Sequence, residues 1–293
     1  MRSVIHWILY SNLLIAVAAA AYTLNGSMQM DLSQNIDPVL TWFVGSSTLF
    51  IYLLIRYAAV SRIQEYTESD RWNFFLKYLH VFKVILIISG ILSFVLYLFL
   101  PRSTELILLF PGGISMLYGL PIRFGKKKIR LRDIGIIKIF LISFVWAFVS
   151  SILPAVYVDV NWRSPEVLWI FLANYIYIFA ITLPFDIKDM EIDAMHHVRT
   201  IPVLIGKTMT ISLSMLLLFV SAMIYDLYYT VWFIRDISLE VPHIISILIT
   251  GMTILLANNI KRDTIYFGLL DGMIILQFLL VGYSYMAQGI VSP

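Results

Sequence analysis

Residues 165–193 read PEVLWIFLANYIYIFAITLPFDIKDMEID, and this stretch decides the fold. From Val167 to Phe185 there are nineteen residues without a charge. That matches the roughly 20 apolar residues a helix needs to cross a bilayer core. The next eight residues carry four acids and one lysine. Carboxylates at a membrane boundary are costly without partners, so chemistry is expected at this junction.

The rest of the chain agrees with a membrane reading. Hydrophobic residues make up 60% and charged residues 13%, with a mean hydropathy of +0.86. A soluble domain carries about 25% charged residues. There is no cysteine, which excludes disulfides, thiolate metal sites and cysteine nucleophiles. The N-terminus has a basic start and an apolar stretch. Ala19, Ala20 and Ala21 run on into Tyr22 and a second span follows, so this is a first helix and not a cleaved signal.

Hydropathy places helices near 4–24, 39–60, 78–100, 104–120, 133–157, 165–185, 208–230, 241–258 and 266–288. The expected architecture is therefore all-α, with about nine transmembrane helices in one domain over 1–293. Pro111-Gly112-Gly113 predicts a kink or a break in the fourth helix.

Basic residues set the orientation. Alternate connections hold Arg2; Arg56, Arg62, Arg71 and Lys77; Arg123, Lys126, Lys127, Lys128, Arg130 and Arg132; Lys188, Arg199 and Lys207; Lys261 and Arg262. The other side has Arg102, Arg163 and Arg235, while Lys83 and Lys138 fall inside spans near the basic side. The N-terminus and the connections 61–77, 121–132 and 186–207 are therefore expected in the cytoplasm, with the C-terminus outside. A bacterial inner membrane is the expected location.

Asp186, Asp189 and Asp193 stand at i, i+3 and i+7. At about 100° per residue they share one helical face within roughly 60°. Three carboxylates on one stripe repel each other unless a cation lies between them. Mg²⁺ suits such a stripe, since it takes hard oxygen ligands and completes its shell with water and phosphate oxygens. The same residues also read as the charged end of a helix in a polar loop. Glu191 points away from the stripe, and His196 and His197 read as loop residues.

The run Leu183-Pro-Phe-Asp186-Ile-Lys-Asp189-Met-Glu-Ile-Asp193, followed by Arg199-Thr-Ile-Pro-Val-Leu-Ile-Gly206-Lys207, resembles the second aspartate motif of the UbiA-type intramembrane prenyltransferases. Tyr118-Gly-Leu-Pro121-Ile-Arg123 resembles that family's Tyr-Pro and Lys/Arg step after helix four. The resemblance covers the whole chain in span pattern and about thirty residues in motif. It implies Mg²⁺-assisted transfer of a prenyl group from an isoprenyl diphosphate to a lipophilic acceptor, with Asp186, Asp189 and Asp193 catalytic and metal-binding.

The chain departs from that pattern on helix two. The family's first aspartate motif belongs there, yet residues 38–64 contain no Asp or Glu. Glu65, Glu68 and Asp70 come later and read as a solvated charge run or as a displaced ligand set. Arg56 stands where the missing acids would be, and a guanidinium can grip diphosphate oxygens directly. The expected site is therefore a single Mg²⁺ on the stripe, with Arg56, Arg123, Lys138 and Arg199 holding the diphosphate. Snorkelling to the interface is the other reading of Arg56. Lys83 and Lys188 are weaker candidates.

Asn174 and Asp271 are further polar residues inside spans, expected to face the bundle interior; Asp271 has Lys261 or Arg262 as candidate partners. Two other functions fit the sequence. One is a UbiA-like lipid- or quinone-binding protein without transferase activity. The other is a small transporter, which paired mid-membrane acids or internal symmetry would favour and this chain lacks.

Overall fold

The computed structural model describes residues 7–32, 35, 37–60, 70–120, 122–124, 127–129, 131, 134–195, 197–232, 237–257 and 263–291. Residues 7–10 are helical, the chain breaks at Ser11-Asn12, and α1 spans Leu13–Gln29. Asn12 makes the break by adopting a left-handed conformation, φ 64°, which asparagine tolerates better than most residues.

Helix α2 spans Pro38–Ala58, and the Asp37 side chain caps it by accepting from the Val39 amide at 2.8 Å. A short α3 (Asp70–Lys77) leads into α4 (Leu79–Tyr97) and α5 (Arg102–Gly119). Helix α5 is unbroken through Pro111, whose carbonyl oxygen accepts from the Ser115 hydroxyl at 2.8 Å. The predicted break is absent.

The connection after α5 holds an antiparallel hairpin, β1 (Ile122–Phe124) and β2 (Lys127–Ile129), with Arg123 opposite Lys128. This is a local addition to an otherwise helical fold.

Helix α6 spans Ile137–Tyr157 and contains a π-helical turn at Phe148–Ile152. Next come α7 (Pro165–Met195), α8 (Ile201–Ile205), α9 (Lys207–Trp232), α10 (Ile237–Ala257) and α11 (Asp263–Val291).

Each of the nine predicted segments overlaps a helix. Among the described residues seven helices are long and apolar enough to cross a membrane: α2, α4, α6, α7, α9, Leu239–Ala257 within α10 and Gly268–Ala287 within α11. Helix α1 is a shorter apolar helix, and α5 falls outside the seven. The chain is an integral membrane protein.

The helices close into a ring. Helix α1 packs between α2 and α11, α11 on α10, α10 on α9, α9 on α7 and α7 on α6, while α5 leans on α6 and α2. Buried tyrosines Tyr22, Tyr177, Tyr225, Tyr228 and Tyr229 fill the middle. In an apolar medium such groups need internal partners. Asn174 on α7 supplies several of them. Its Oδ1 accepts from the Tyr22 hydroxyl at 3.0 Å and from the Tyr225 hydroxyl. Its Nδ2 donates to Ser151 Oγ at 2.9 Å and Ser150 Oγ at 3.1 Å. Those serines lie in the π-turn, where α1 approaches so closely that a Cβ on Gly26 would overlap the Ser150 carbonyl oxygen.

Helix α7 has 31 residues, so it is on the order of 46 Å long against a hydrocarbon core of about 30 Å. The expected boundary at residue 185 is therefore not a helix end. The helix continues through Met195, and the first ten residues of the predicted loop 186–207 are helical.

Candidate functional site

The continuation of α7 holds the aspartates in the register their spacing predicts. Asp186, Asp189 and Asp193 all line one cavity of about 710 Å³. Glu191 is exposed on the other side, and Lys188 sits over the Tyr266 ring, its Nζ 5.2 Å from the centroid. The Tyr266 hydroxyl donates to the Pro184 carbonyl at 2.6 Å, tying α11 to α7 just before Asp186.

The segment after α7 returns across the start of α6. Gly135 permits this, because a Cβ there would overlap the Arg199 carbonyl oxygen. Helix α6 also packs directly on α7, which brings Lys138 to the stripe. Its Nζ lies 2.8 Å from Asp186 Oδ1 and 3.4 Å from Asp193 Oδ2. The sequence suggests Lys138 as a diphosphate ligand; in the structure its ammonium bridges the stripe from the side.

The opposite wall carries basic groups. Arg56 Nη1 donates to the Tyr10 carbonyl at 2.6 Å, and Arg56 Nη2 donates to Asn12 Oδ1 at 2.7 Å. Its guanidinium also lies over the Phe75 ring, 5.4 Å from the centroid. These contacts turn Arg56 inward, and it does not snorkel. Arg71 Nη2 donates to the same Asn12 Oδ1 at 3.0 Å. Burial pulls the Arg71 guanidinium below its ordinary pKa, with the charge of Asp271 the largest opposing influence. Asp271 lines the cavity too. Lys261 and Arg262, its expected partners, lie outside the described residues.

The remaining expected residues divide. The Arg123 backbone is in β1, but its side chain lies outside the described ones, as do Glu65, Glu68, His196 and the Asp70 side chain. Arg199 is exposed and is not among the cavity-lining residues. His197 is exposed, consistent with a loop residue. Sequence reasoning counts Arg71 only as a loop charge and passes over Asn12. The available signal is a lone asparagine inside the first apolar stretch.

Away from the charged end, the cavity runs between apolar walls. Ile51, Ile142, Val145, Trp146, Ile178 and Ile274 line it. One cavity thus joins an acidic wall, a basic wall and a greasy interior.

The carboxylates fit a divalent cation in chemistry, though not as a prebuilt cage. Asp186 Oδ2 is buried and has no hydrogen-bond partner, which leaves one hard oxygen donor available. Among the described residues no three His, Asp or Glu side chains converge tightly enough to hold a metal alone. An ion here would need oxygens from substrate and water, the usual condition for Mg²⁺.

The profile of the UbiA prenyltransferase family matches residues 77–266, more than half of the chain. The chain belongs to that family. Solved structures of UbiA homologues share its fold at low identity. One, a homologue from Archaeoglobus fulgidus bound to GPP and Mg²⁺, superposes with a TM-score of 0.61 at 14% identity, over 94% of this chain and 99% of that one. An apo UbiA homologue from Aeropyrum pernix K1 gives 0.60 at 12% identity, over 96% and 98%. A structure described for digeranylgeranylglyceryl phosphate synthase gives 0.59 at 16% identity, over 99% of each chain. No curated protein sequence matches.

Proposed function

We propose that this UbiA-family protein transfers a prenyl group from an isoprenyl diphosphate to a lipophilic acceptor within the membrane. The observation that carries this reading is the cavity itself, charged at one end and apolar along its length. That shape suits a molecule with a diphosphate head and an isoprenoid tail. Similar UbiA homologues from Archaeoglobus fulgidus have been solved with DMAPP or GPP and Mg²⁺.

Asp186, Asp189 and Asp193 would hold the Mg²⁺, which when bound helps neutralise the departing diphosphate. Lys138 keeps Asp186 and Asp193 from repelling each other and presents its ammonium to the same space. Arg56 binds diphosphate oxygens, and Arg123 remains a candidate from the motif after Tyr118. Arg199, exposed and off the cavity, is left out of the binding set. In the reaction the allylic C–O bond breaks, both electrons leave with the diphosphate oxygen, the acceptor's electron pair forms the new bond, and the acceptor's displaced proton passes to the diphosphate or to water. The basic groups stabilise the charge that develops, and Ile142, Val145 and Trp146 help keep water from the cation. On the distribution of basic residues the charged mouth faces the cytoplasm, as does the N-terminus.

The test is turnover of radiolabelled geranyl diphosphate by membranes containing the protein, with Mg²⁺ and a mixed quinone and lipid acceptor pool. Wild type should release diphosphate, and Asp189→Asn should lower the rate about 10²–10³-fold. The second reading, a lipid- or quinone-binding protein without transfer, rests on the absence of acids from α2. It prevails if geranyl diphosphate binds but neither form releases diphosphate.

A further inference from the structure

The basic wall has a composition that the aspartate stripe does not explain. Arg56 and Arg71 both donate to Asn12 Oδ1, at 2.7 and 3.0 Å. Their two Nη2 atoms are therefore less than about 6 Å apart, and two guanidinium charges held so close repel each other. None of the ion pairs among the described residues involves Arg56. Asp271 is the acidic group that acts most strongly on Arg71, with Asp189 a weaker influence from the same cavity.

Asn12 points to what completes the arrangement. It is 2% exposed and lines the cavity, and its Nδ2 has no hydrogen-bond partner. A buried amide donor without a partner is costly, as are clustered like charges, and one oxyanion would relieve both. The backbone is shaped for the cluster as well. The left-handed turn at Asn12 ends the helix at 7–10, and Arg56 takes the Tyr10 carbonyl there.

We propose that Asn12, Arg56 and Arg71 form an anion site that binds the terminal phosphate of the substrate diphosphate directly, with no metal between. The site uses donors where the family's first motif would use carboxylates and a second ion. That the anion carries a prenyl chain rests on the transfer reading above; that it is a phosphate-class oxyanion does not. Asp271 serves as the counter-charge to Arg71 when no anion is bound.

The experiment is calorimetric titration of the purified full chain with inorganic pyrophosphate in EDTA. Wild type should bind. Arg71→Gln should weaken binding at least tenfold, and Arg71→Lys should recover part of the loss. The decisive variant is Asn12→Asp, which places a carboxylate between the two guanidiniums. It should abolish metal-free pyrophosphate binding while thermal stability holds or rises, which separates loss of the site from loss of the fold. Binding that needs Mg²⁺, or an Asn12→Asp protein that binds as wild type does, overturns the proposal. A parallel titration in nanodiscs with anionic phospholipid distinguishes the phosphate's source. If headgroups displace pyrophosphate at bilayer concentrations, the occupant is a lipid and the diphosphate assignment fails. If the anion site behaves as stated but geranyl diphosphate is never turned over, the site stands and prenyl transfer falls. If turnover proceeds with Mg²⁺ and neither variant alters binding in EDTA, transfer stands and this site falls.

Discussion

Asn174 and Asp186 stand on the same helix, twelve residues apart, and meet their surroundings in opposite ways. Asn174 is fully buried and uses both ends of its amide on protein, with Tyr22, Tyr225, Ser150 and Ser151 as partners. Nearby, His243 is held in the same manner, with Gln277 Nε2 at 2.8 Å and Gln29 Nε2 at 3.2 Å from its Nε2. Asp186 is nearly as buried, yet only one of its oxygens has a partner and the other faces none. The first region fastens α1, α7, α9 and the π-turn together. The second is left open beside a cavity. The Asn174 cluster thus closes its bonds within the protein, whereas Asp186 keeps one oxygen open beside the cavity.

Lys138→Met should break this comparison most forcibly. It leaves Asp186 and Asp193 facing each other without a cation, with side chains 6% and 16% exposed. A loss of about 3 kcal/mol in stability is expected, discounted from a fully buried pair because the cavity admits water. Millimolar Mg²⁺ should then raise the apparent Tm of the variant more than that of wild type. An unchanged Tm, or no extra response to Mg²⁺, removes the stripe as a cation site.

Asn174→Leu probes the closed region. It strands the Tyr22 and Tyr225 hydroxyls and should cost on the order of 2 kcal/mol in detergent unfolding. Pyrophosphate affinity measured well below the melting point should stay within twofold of wild type. A large change in affinity would mean that the two regions are coupled and the contrast is false. Arg199→Gln should have the smallest effect, below about 0.5 kcal/mol and within twofold in turnover, since the residue is exposed and off the cavity. A tenfold loss of turnover would return Arg199 to the diphosphate set.

Much of the acidic wall is legible in the amino-acid sequence. The spacing of Asp186, Asp189 and Asp193 depends only on helical period, and the helix does continue through them. The exposure of Glu191 follows from the same period. The extent of α7 is not legible, because hydropathy marks where apolar residues stop and not where a helix stops. Lys138 stands out in the sequence, but its neighbours do not. Its partners depend on how α6 packs against α7, a contact between residues far apart in sequence. Arg71 escapes notice for a related reason: as one charge in a basic connection, it is indistinguishable from Arg62 or Lys77 until the fold turns it inward.

By itself the sequence determined the apolar spans, the charge asymmetry between their ends, the aspartate stripe and the absence of acids on α2. These are local properties, set by composition and by a period of about 3.6 residues per turn. Only the tertiary structure decided what faces the stripe. Asn12, Arg56 and Arg71 come from three separate segments, and they meet because a left-handed turn and the packing of α1, α2 and α3 aim them at one point. Helix period says which residues share a face; packing decides which face looks into the cavity.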